Sequence, residues 1–250
     1  MRLVEYDLDL EYVVDEKAIL SIMRESGCDI QEATQKNYEI NWKLKRKDFS
    51  SQTRCISSFF SRIIGSIDTK DCKKLLIKCV PEVQGNKVMT YSGGFCDVQI
   101  QFDYDSFVVF DDLAKKKATL ELLMEGIRTV AKDKGWDMEP FESTYNKIVE
   151  AGYINEWFLP KSAKSPDKKA VARVFLQHEV SEINISIIVI DKKGNEIFRQ
   201  KVISELPDEW YYTKHLGELK WVSENEIVLV NQEKDKEYKV STGDILSGLK

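Results

Sequence analysis

Residues 4–12 alternate between apolar and acidic side chains at every position, and this pattern constrains the fold more than any other part of the chain. Because successive side chains of a β-strand point to opposite faces, the apolar residues share one face. The acidic residues line the other face as a stripe: Glu5, Asp7, Asp9 and Glu11. Like charges on one face destabilise a sheet unless water, a basic neighbour or a cationic partner offsets them. The pattern therefore predicts a half-buried strand with an acidic outer face.

Hydrophobic periodicity predicts further helices and strands before residue 154. Apolar residues spaced three and four apart predict helices over residues 15–26, 55–64, 113–134 and 140–152. Alternation predicts a second strand from Tyr38 to Lys45, and the basic run 43–47 at its end would neutralise the stripe across the sheet or remain in water. Other strands are expected at residues 74–80, 87–91, 95–104 and 107–110, the first two joined as a hairpin by a turn at residues 84–86.

The second half of the chain has a different pattern. Residues 155–169 are rich in Pro, Ser and Lys, which indicates an exposed connector. Residues 170–250 then alternate short β-branched runs with polar turns, as in an antiparallel β-meander. We therefore expect an α+β fold: an α+β domain over residues 1–154 with N-terminal helices packed on a mostly antiparallel sheet, a connector over 155–169, and a β-meander subdomain over 170–250, with or without a core shared with the first domain.

Composition narrows the possible functions and locations. The net charge of −5 argues against a general affinity for nucleic acid, and no apolar run reaches the roughly 20 residues that span a bilayer. The start of the chain lacks the basic and apolar regions of a signal peptide. The odd cysteine count (Cys28, Cys55, Cys72, Cys79 and Cys96) then favours reduced thiols in the cytoplasm.

Few residues have the pattern of a catalytic or cofactor site. His178 and His215 each lack a second ligand at metal-binding spacing, and no glycine-rich phosphate loop is present, so no cofactor is expected. Asp103, Asp105, Asp111 and Asp112 form an acidic group that could hold a divalent metal or share a proton. Their expected positions in a strand, a turn and a helix cap explain them equally well.

The charge pattern favours a non-catalytic binding protein. An acidic face would attract a basic protein partner, as in an inhibitor or immunity protein that neutralises a cationic toxin enzyme. The residues expected to bind this partner are Glu5, Asp7, Asp9, Glu11, Asp97 and Asp103. Two alternatives remain open: a structural or scaffold homo-oligomer joined along strand edges, and an enzyme that uses carboxylates with or without a metal.

Overall fold

A computed structural model describes residues 1–84 and 88–243 and confirms the α+β class. The chain forms two compact units, Met1–Tyr153 and Ile154–Lys250. In the described part of the chain, every helix is too short or too polar to cross a membrane.

The first unit is built on a four-stranded sheet in the order β2-β4-β6-β5. Strands β1 and β3 form a separate two-stranded ribbon. The strands of this unit are β1 (Arg2–Leu3), β2 (Glu5–Leu10), β3 (Ile67–Asp68), β4 (Lys74–Val80), β5 (Val88–Tyr91) and β6 (Phe95–Gln101). Strands β2, β4 and β6 run parallel, and β5 pairs antiparallel with β6. The parallel strands therefore all end at the same edge of the sheet, where Leu10 pairs with Cys79 and Val80 pairs with Gln101.

Helices cover one face of this sheet. The helices of this unit are α1 (Glu16–Ser26), α2 (Ile30–Tyr38), α3 (Leu44–Ile64), α4 (Tyr104–Val108), α5 (Asp112–Lys134) and α6 (Glu139–Glu150). Helix α3 packs on β2, α5 packs on β6, and α6 packs on α3. Gly126 lets α5 approach the sheet closely, because a Cβ at this position would lie 2.4 Å from Ile77 Cγ1. The covered face holds the apolar half of the alternating pattern, as predicted: Tyr6, Leu8 and Leu10 are all buried.

Three local predictions for this unit are wrong. Residues 38–45 are helical, and Phe107 and Val108 are the last two residues of helix α4. Residues 38–45 alternate over too few positions to exclude a helix, whose apolar positions also recur every three or four residues. Residues 107–110 are a short apolar run, which periodicity alone does not assign to a strand or a helix. The expected hairpin of β4 with residues 87–91 does not form, since β4 lies between β2 and β6. Its predicted turn at residues 84–86 lies partly outside the described residues.

The N-terminal sheet was expected to be mostly antiparallel. It has a larger parallel component than that, because β2, β4 and β6 run parallel. The segment from β2 to β4 contains three helices, and such long helical crossovers are what parallel neighbours require. Most strand pairs in the other described sheets are antiparallel.

The second unit is an all-antiparallel arrangement of two sheets, with strand orders β10-β9-β8-β7 and β11-β12-β13. Its elements are β7 (Asn155–Lys164), β8 (Ala170–His178), β9 (Ile183–Asp191), β10 (Glu196–Glu205), α7 (Glu209–Tyr212), a 3₁₀ turn (Thr213–His215), β11 (Glu218–Trp221), β12 (Glu226–Val230) and β13 (Glu237–Ser241). Alternate residues of β8 and β9 share one hydrophobic core with Leu219, Ile227 and Val240 of the smaller sheet. The predicted meander is therefore confirmed.

The segment predicted as a connector forms a strand instead. Residues 155–164 are β7 and pair with β8, with a shift of register between Phe158 and Ser162. Pro160 lies within this shift. Proline cannot donate a ladder hydrogen bond, and an irregularity on an edge strand is where a sheet tolerates it. The Pro and Lys content that suggested a connector is thus typical of a protected sheet edge.

Candidate functional site

The acidic stripe lies on the face of the N-terminal sheet opposite the helices, which we call the polar face. This face carries Glu5, Asp7, Asp9, Glu11 and Asp97 together with Lys74 and Lys78 of β4. Two arginines of α3 reach the same carboxylates. Five of the six predicted partner-binding residues, all except Asp103, therefore lie among basic side chains of their own unit.

Every carboxylate of the stripe is paired with at least one of these cations. Arg46 contacts Asp9 with two nitrogens, at 2.5 and 2.8 Å, and Arg54 and Lys74 both contact Asp7. Lys74 also lies 3.1 Å from Glu5. The expectation that the stripe stands free in water is therefore wrong, because neighbouring strands and helix α3 supply the compensating charges.

The same network continues towards the centre of the sheet. Lys78 Nζ lies 2.7 Å from Asp97 and 3.3 Å from Glu11, and Gln99 donates a 2.7 Å hydrogen bond to Glu11. Burial alone would lower the pKa of Lys78, but its hydrogen bond and charge interaction with Asp97 outweigh burial and raise the pKa. The pKa of Lys74 is raised in the same way, with burial opposed by Asp7. Both lysines are therefore held in the charged form.

A large cleft opens at the carboxyl ends of the parallel strands. Its volume is about 1360 Å³, and residues that directly follow β2, β4 and β6 line it, among them Glu11, Pro81 and Phe102. In sheets with parallel strands this edge is the usual place for ligands, because helices and loops leave a crevice beyond the strand ends. Two of the predicted partner-binding residues line the cleft: Glu11, at the end of the stripe, and Asp103.

Aromatic side chains form one wall of the cleft. Tyr12 and Trp42 line the cleft, and their rings contact each other and the ring of Tyr38 with centroids 4.7–5.5 Å apart. Trp42 Nε1 also donates a 2.8 Å hydrogen bond to the carbonyl of Leu10. Trp42 belongs to a π-helical segment, Glu39–Lys43, that joins α2 to α3. Such segments are rare and occur frequently at functional sites. Tyr104 also lines the cleft, and burial followed by the charge of Asp48 raises its pKa to about 12.

The lining is strongly acidic. It contains six carboxylates and two lysines. The six are Glu11, Asp15, Glu16, Glu82, Asp103 and Asp105. Within residues 1–84 and 88–243, ion pairs reach only Glu11, through Lys78, and Asp105, which lies 3.5 Å from Lys45. The cleft therefore has an excess of negative charge that the described residues do not neutralise.

Two buried polar groups at the cleft have no hydrogen-bond partner among the residues that the structure describes. They are Nδ2 of Asn37, a residue only 1% exposed, and the hydroxyl of Tyr12. Both residues line the cleft. A buried donor without a partner costs about 1–3 kcal/mol, so such groups are rare unless something else bonds to them.

The acidic group considered for catalysis has structural roles. Asp103 accepts hydrogen bonds from the backbone N–H and hydroxyl of Ser106, which lower its pKa, and so begins α4. Asp111 caps α5, and Asp112 is the first residue of that helix. Among the described residues, no group of three His, Cys, Asp or Glu side chains has the geometry of a metal site.

Histidines and cysteines are placed in the cores. His178 is fully buried and its Nε2 lies 3.0 Å from the carbonyl of Pro207. His215 connects Glu205 at 3.1 Å to the hydroxyl of Tyr238 at 2.7 Å, which links β10 to β13 within the second unit. All five cysteines are free thiols, and only Cys28 is not buried.

Comparison of the chain with protein-family models, with curated proteins and with solved structures gives no significant match. The candidate site therefore depends on its geometry alone.

Sequence patterns did not point to the residues that form the cleft wall. Asn37 precedes the strand predicted from Tyr38 to Lys45, and Trp42 lies in the middle of it. Glu16 falls in a predicted helix, and Glu82 is an isolated charge in the sequence. One usable signal was present: Tyr38 and Trp42 are four residues apart, the spacing that brings aromatic rings together on a helix.

Proposed function

We propose that this chain is a non-catalytic binding protein that engages a basic protein partner through the cleft at the strand ends. The observation that carries the proposal is the unneutralised charge of that cleft. Four of its carboxylates, Asp15, Glu16, Glu82 and Asp103, have no ion pair within the described residues. A recessed surface of one charge raises the association rate of an oppositely charged partner and orients it on approach.

This proposal moves the predicted binding surface from the stripe to the cleft. Asp7 and Asp9 are occupied by Arg54, Lys74 and Arg46, so a cationic partner would have to displace existing ion pairs there. In the cleft, Glu16 and Glu82 are exposed and need no such exchange. An inhibitor or immunity protein that neutralises a cationic toxin enzyme is one form of this function. The free state of the five cysteines supports a reducing compartment such as the cytoplasm.

The proposal is tested with a charge reversal inside the cleft. Partners are captured with the full chain from a lysate of its source at low salt, purified, and titrated against the wild type and Glu16→Lys/Glu82→Lys. We expect affinity to fall at least about 10-fold in the variant and to weaken as salt rises, because exposed charges are screened beyond a Debye length of about 10 Å at 0.1 M salt.

Glu142→Lys/Glu150→Lys is the matched control. Both residues are exposed on helix α6, and the change in net charge is the same. Affinity in this control should remain within about twofold of the wild type, since neither residue lines the cleft. Equal losses in the two double variants would mean that the partner responds to net charge alone, and the cleft would not be the site.

A further inference from the structure

The cleft contains more than charge, and its polar and aromatic groups specify what kind of segment it holds. We infer that it binds a peptide segment of the partner that contains an arginine, with the guanidinium among the carboxylates and a neighbouring backbone carbonyl bonded to Asn37. This inference rests on the proposed function and adds the chemistry of the bound group. Three independent features support it: the charge, the aromatic wall and the unpartnered donors.

The size of the cleft suits a segment of polypeptide. Sites for small organic ligands occupy about 300–1,000 Å³, whereas this cleft encloses about 1360 Å³. The ends of the three parallel strands and the first turn of α1 all contribute to its lining.

The aromatic wall favours arginine over lysine. A planar guanidinium stacks on aromatic rings and forms paired hydrogen bonds with carboxylates, while an ammonium ion is a strongly hydrated point charge. The molecule already shows this behaviour at one of the wall's residues: the guanidinium of Arg46 lies 5.2 Å from the ring centroid of Trp42. Tyr104 interacts similarly with Lys45, whose Nζ lies 5.2 Å from its ring centroid.

The unpartnered groups of the cleft are free to form hydrogen bonds with a bound segment. Asn37 Nδ2 can only donate, so its partner must be an acceptor such as a peptide carbonyl. The hydroxyl of Tyr12 can bond to the same segment as donor or acceptor. Both groups are buried, and the rotamer changes that are common on binding would open them to the segment.

This arrangement makes an unusual prediction for stability and binding together. Asn37→Leu removes a buried donor without a partner, so the melting temperature should rise by about 2–4 °C. Affinity for an arginine peptide should fall about three- to tenfold, because one neutral hydrogen bond contributes on that scale. Tyr12→Phe should act in the same direction and serves as a second variant that alters one atom only.

Tyr6→Phe is the matched control. The hydroxyl of Tyr6 is likewise buried without a partner, but Tyr6 does not line the cleft. Its replacement should leave peptide affinity unchanged, whatever it does to the melting temperature. A merely structural effect of removing a buried hydroxyl would lower affinity in Tyr6→Phe and Tyr12→Phe alike.

The experiment titrates acetyl-Gly-Arg-Gly-amide into the full chain and follows the side-chain amide resonances of Asn37 by NMR, assigned by their loss in Asn37→Leu. Peptides with lysine or the neutral isostere citrulline in place of arginine are run in parallel. We expect saturable shifts with arginine, at least tenfold weaker binding with citrulline, and intermediate binding with lysine. Unmoved Asn37 resonances, or wild-type affinity in both Asn37→Leu and Tyr12→Phe, would overturn the inference.

The outcomes separate this inference from the function it rests on. Suppose that Glu16→Lys/Glu82→Lys weakens binding of the natural partner but Asn37→Leu and Tyr12→Phe do not alter peptide binding. The acidic cleft is then the binding site, and the hydrogen bond from Asn37 to a peptide carbonyl is wrong. If the cleft reversal does not weaken the natural partner, the proposed function itself fails. Equal binding of the arginine and citrulline peptides would show that charge does not select the ligand, and the arginine assignment would be wrong.

Discussion

The polar face and the cleft of the first unit contain nearly the same number of carboxylates but use them differently. On the polar face, each acid of the stripe contacts a lysine or arginine of the same unit. In the cleft, the described residues pair only two of six acids with a cation. The acids of the polar face therefore link strands and helix α3 through ion pairs, whereas the acids of the cleft remain available to a partner.

The difference shows that a row of like charges in a sequence is poor evidence of a binding surface. Regular alternation places Asp7 and Asp9 in a sheet, where neighbouring strands and a packed helix can bring compensating charges close. The acids of the cleft come from separate turns and helix starts, where fewer basic side chains lie within reach. Only the fold brings these scattered acids together.

The largest expected difference between the regions concerns stability after charge reversal. Asp7→Lys would place a third cation beside Arg54 and Lys74, in a site where the Asp7 side chain is 22% exposed. We expect the free energy of unfolding to fall by about 2–3 kcal/mol, somewhat less than for a fully buried pair because water screens part of the repulsion. Urea unfolding of the full chain, followed by the indole NMR signal of Trp136, measures it.

Glu150→Lys on helix α6 is the control for this variant, since it makes the same change of charge at an exposed position. It should change the free energy of unfolding by no more than about 0.5 kcal/mol. If Asp7→Lys has as small an effect as this control, the ion pairs of the polar face do not stabilise the unit and the contrast between the regions is lost.

The sequence was sufficient for the parts of this fold that depend on local pattern. The apolar half of residues 4–12, the long helix α5 and the strands of the second unit follow directly from periodicity. Pairing partners did not follow, because β4 is separated from β2 by three helices and its neighbours are decided by packing. The segment around Trp42 alternates as a strand would, but a helix there brings Tyr38 and Trp42 together at a spacing of four residues and lets both contact Tyr12.

The candidate site was predicted only in part for the same reason. Glu11 and Asp103 were singled out by charge and do line the cleft. Asn37 could not be recognised, because an asparagine in a sequence does not reveal whether its amide will be buried or bonded. The strand ends that frame the cleft became visible only once β2, β4 and β6 were known to be parallel.

A second, smaller difference between the regions should be visible in the response to alkaline pH. The raised pKa of Lys74 and Lys78 means that their contribution to stability is complete below the unfolded-state pKa of about 10.4 and is lost as pH rises through the folded-state pKa. Lys74→Arg/Lys78→Arg should keep its charges and lose less stability between pH 9 and pH 12, as measured by urea midpoints.

Buried Tyr6 also lowers the stability of both the wild type and the double variant as pH rises. Burial raises the pKa of Tyr6, so the folded state resists an ionisation that the unfolded state undergoes. The difference between wild type and variant therefore isolates the two lysines. Parallel stability curves in the two proteins would show that the lysines do not contribute through their charge.

The smallest expected effect distinguishes the two surfaces best. Replacing an acid by lysine should stabilise the protein in the cleft and destabilise it on the polar face. Glu82 lies in the loop after β4, is exposed, and has no ion pair within the described residues. Glu82→Lys should relieve repulsion among the cleft acids and stabilise the protein by up to about 0.5 kcal/mol at 20 mM salt, where the Debye length exceeds 10 Å. At 500 mM salt the gain over wild type should vanish, since screening removes the repulsion that the substitution relieves. A loss of stability at low salt, like that expected for Asp7→Lys, would mean that the acids of the cleft are already neutralised and that both surfaces use negative charge for structure.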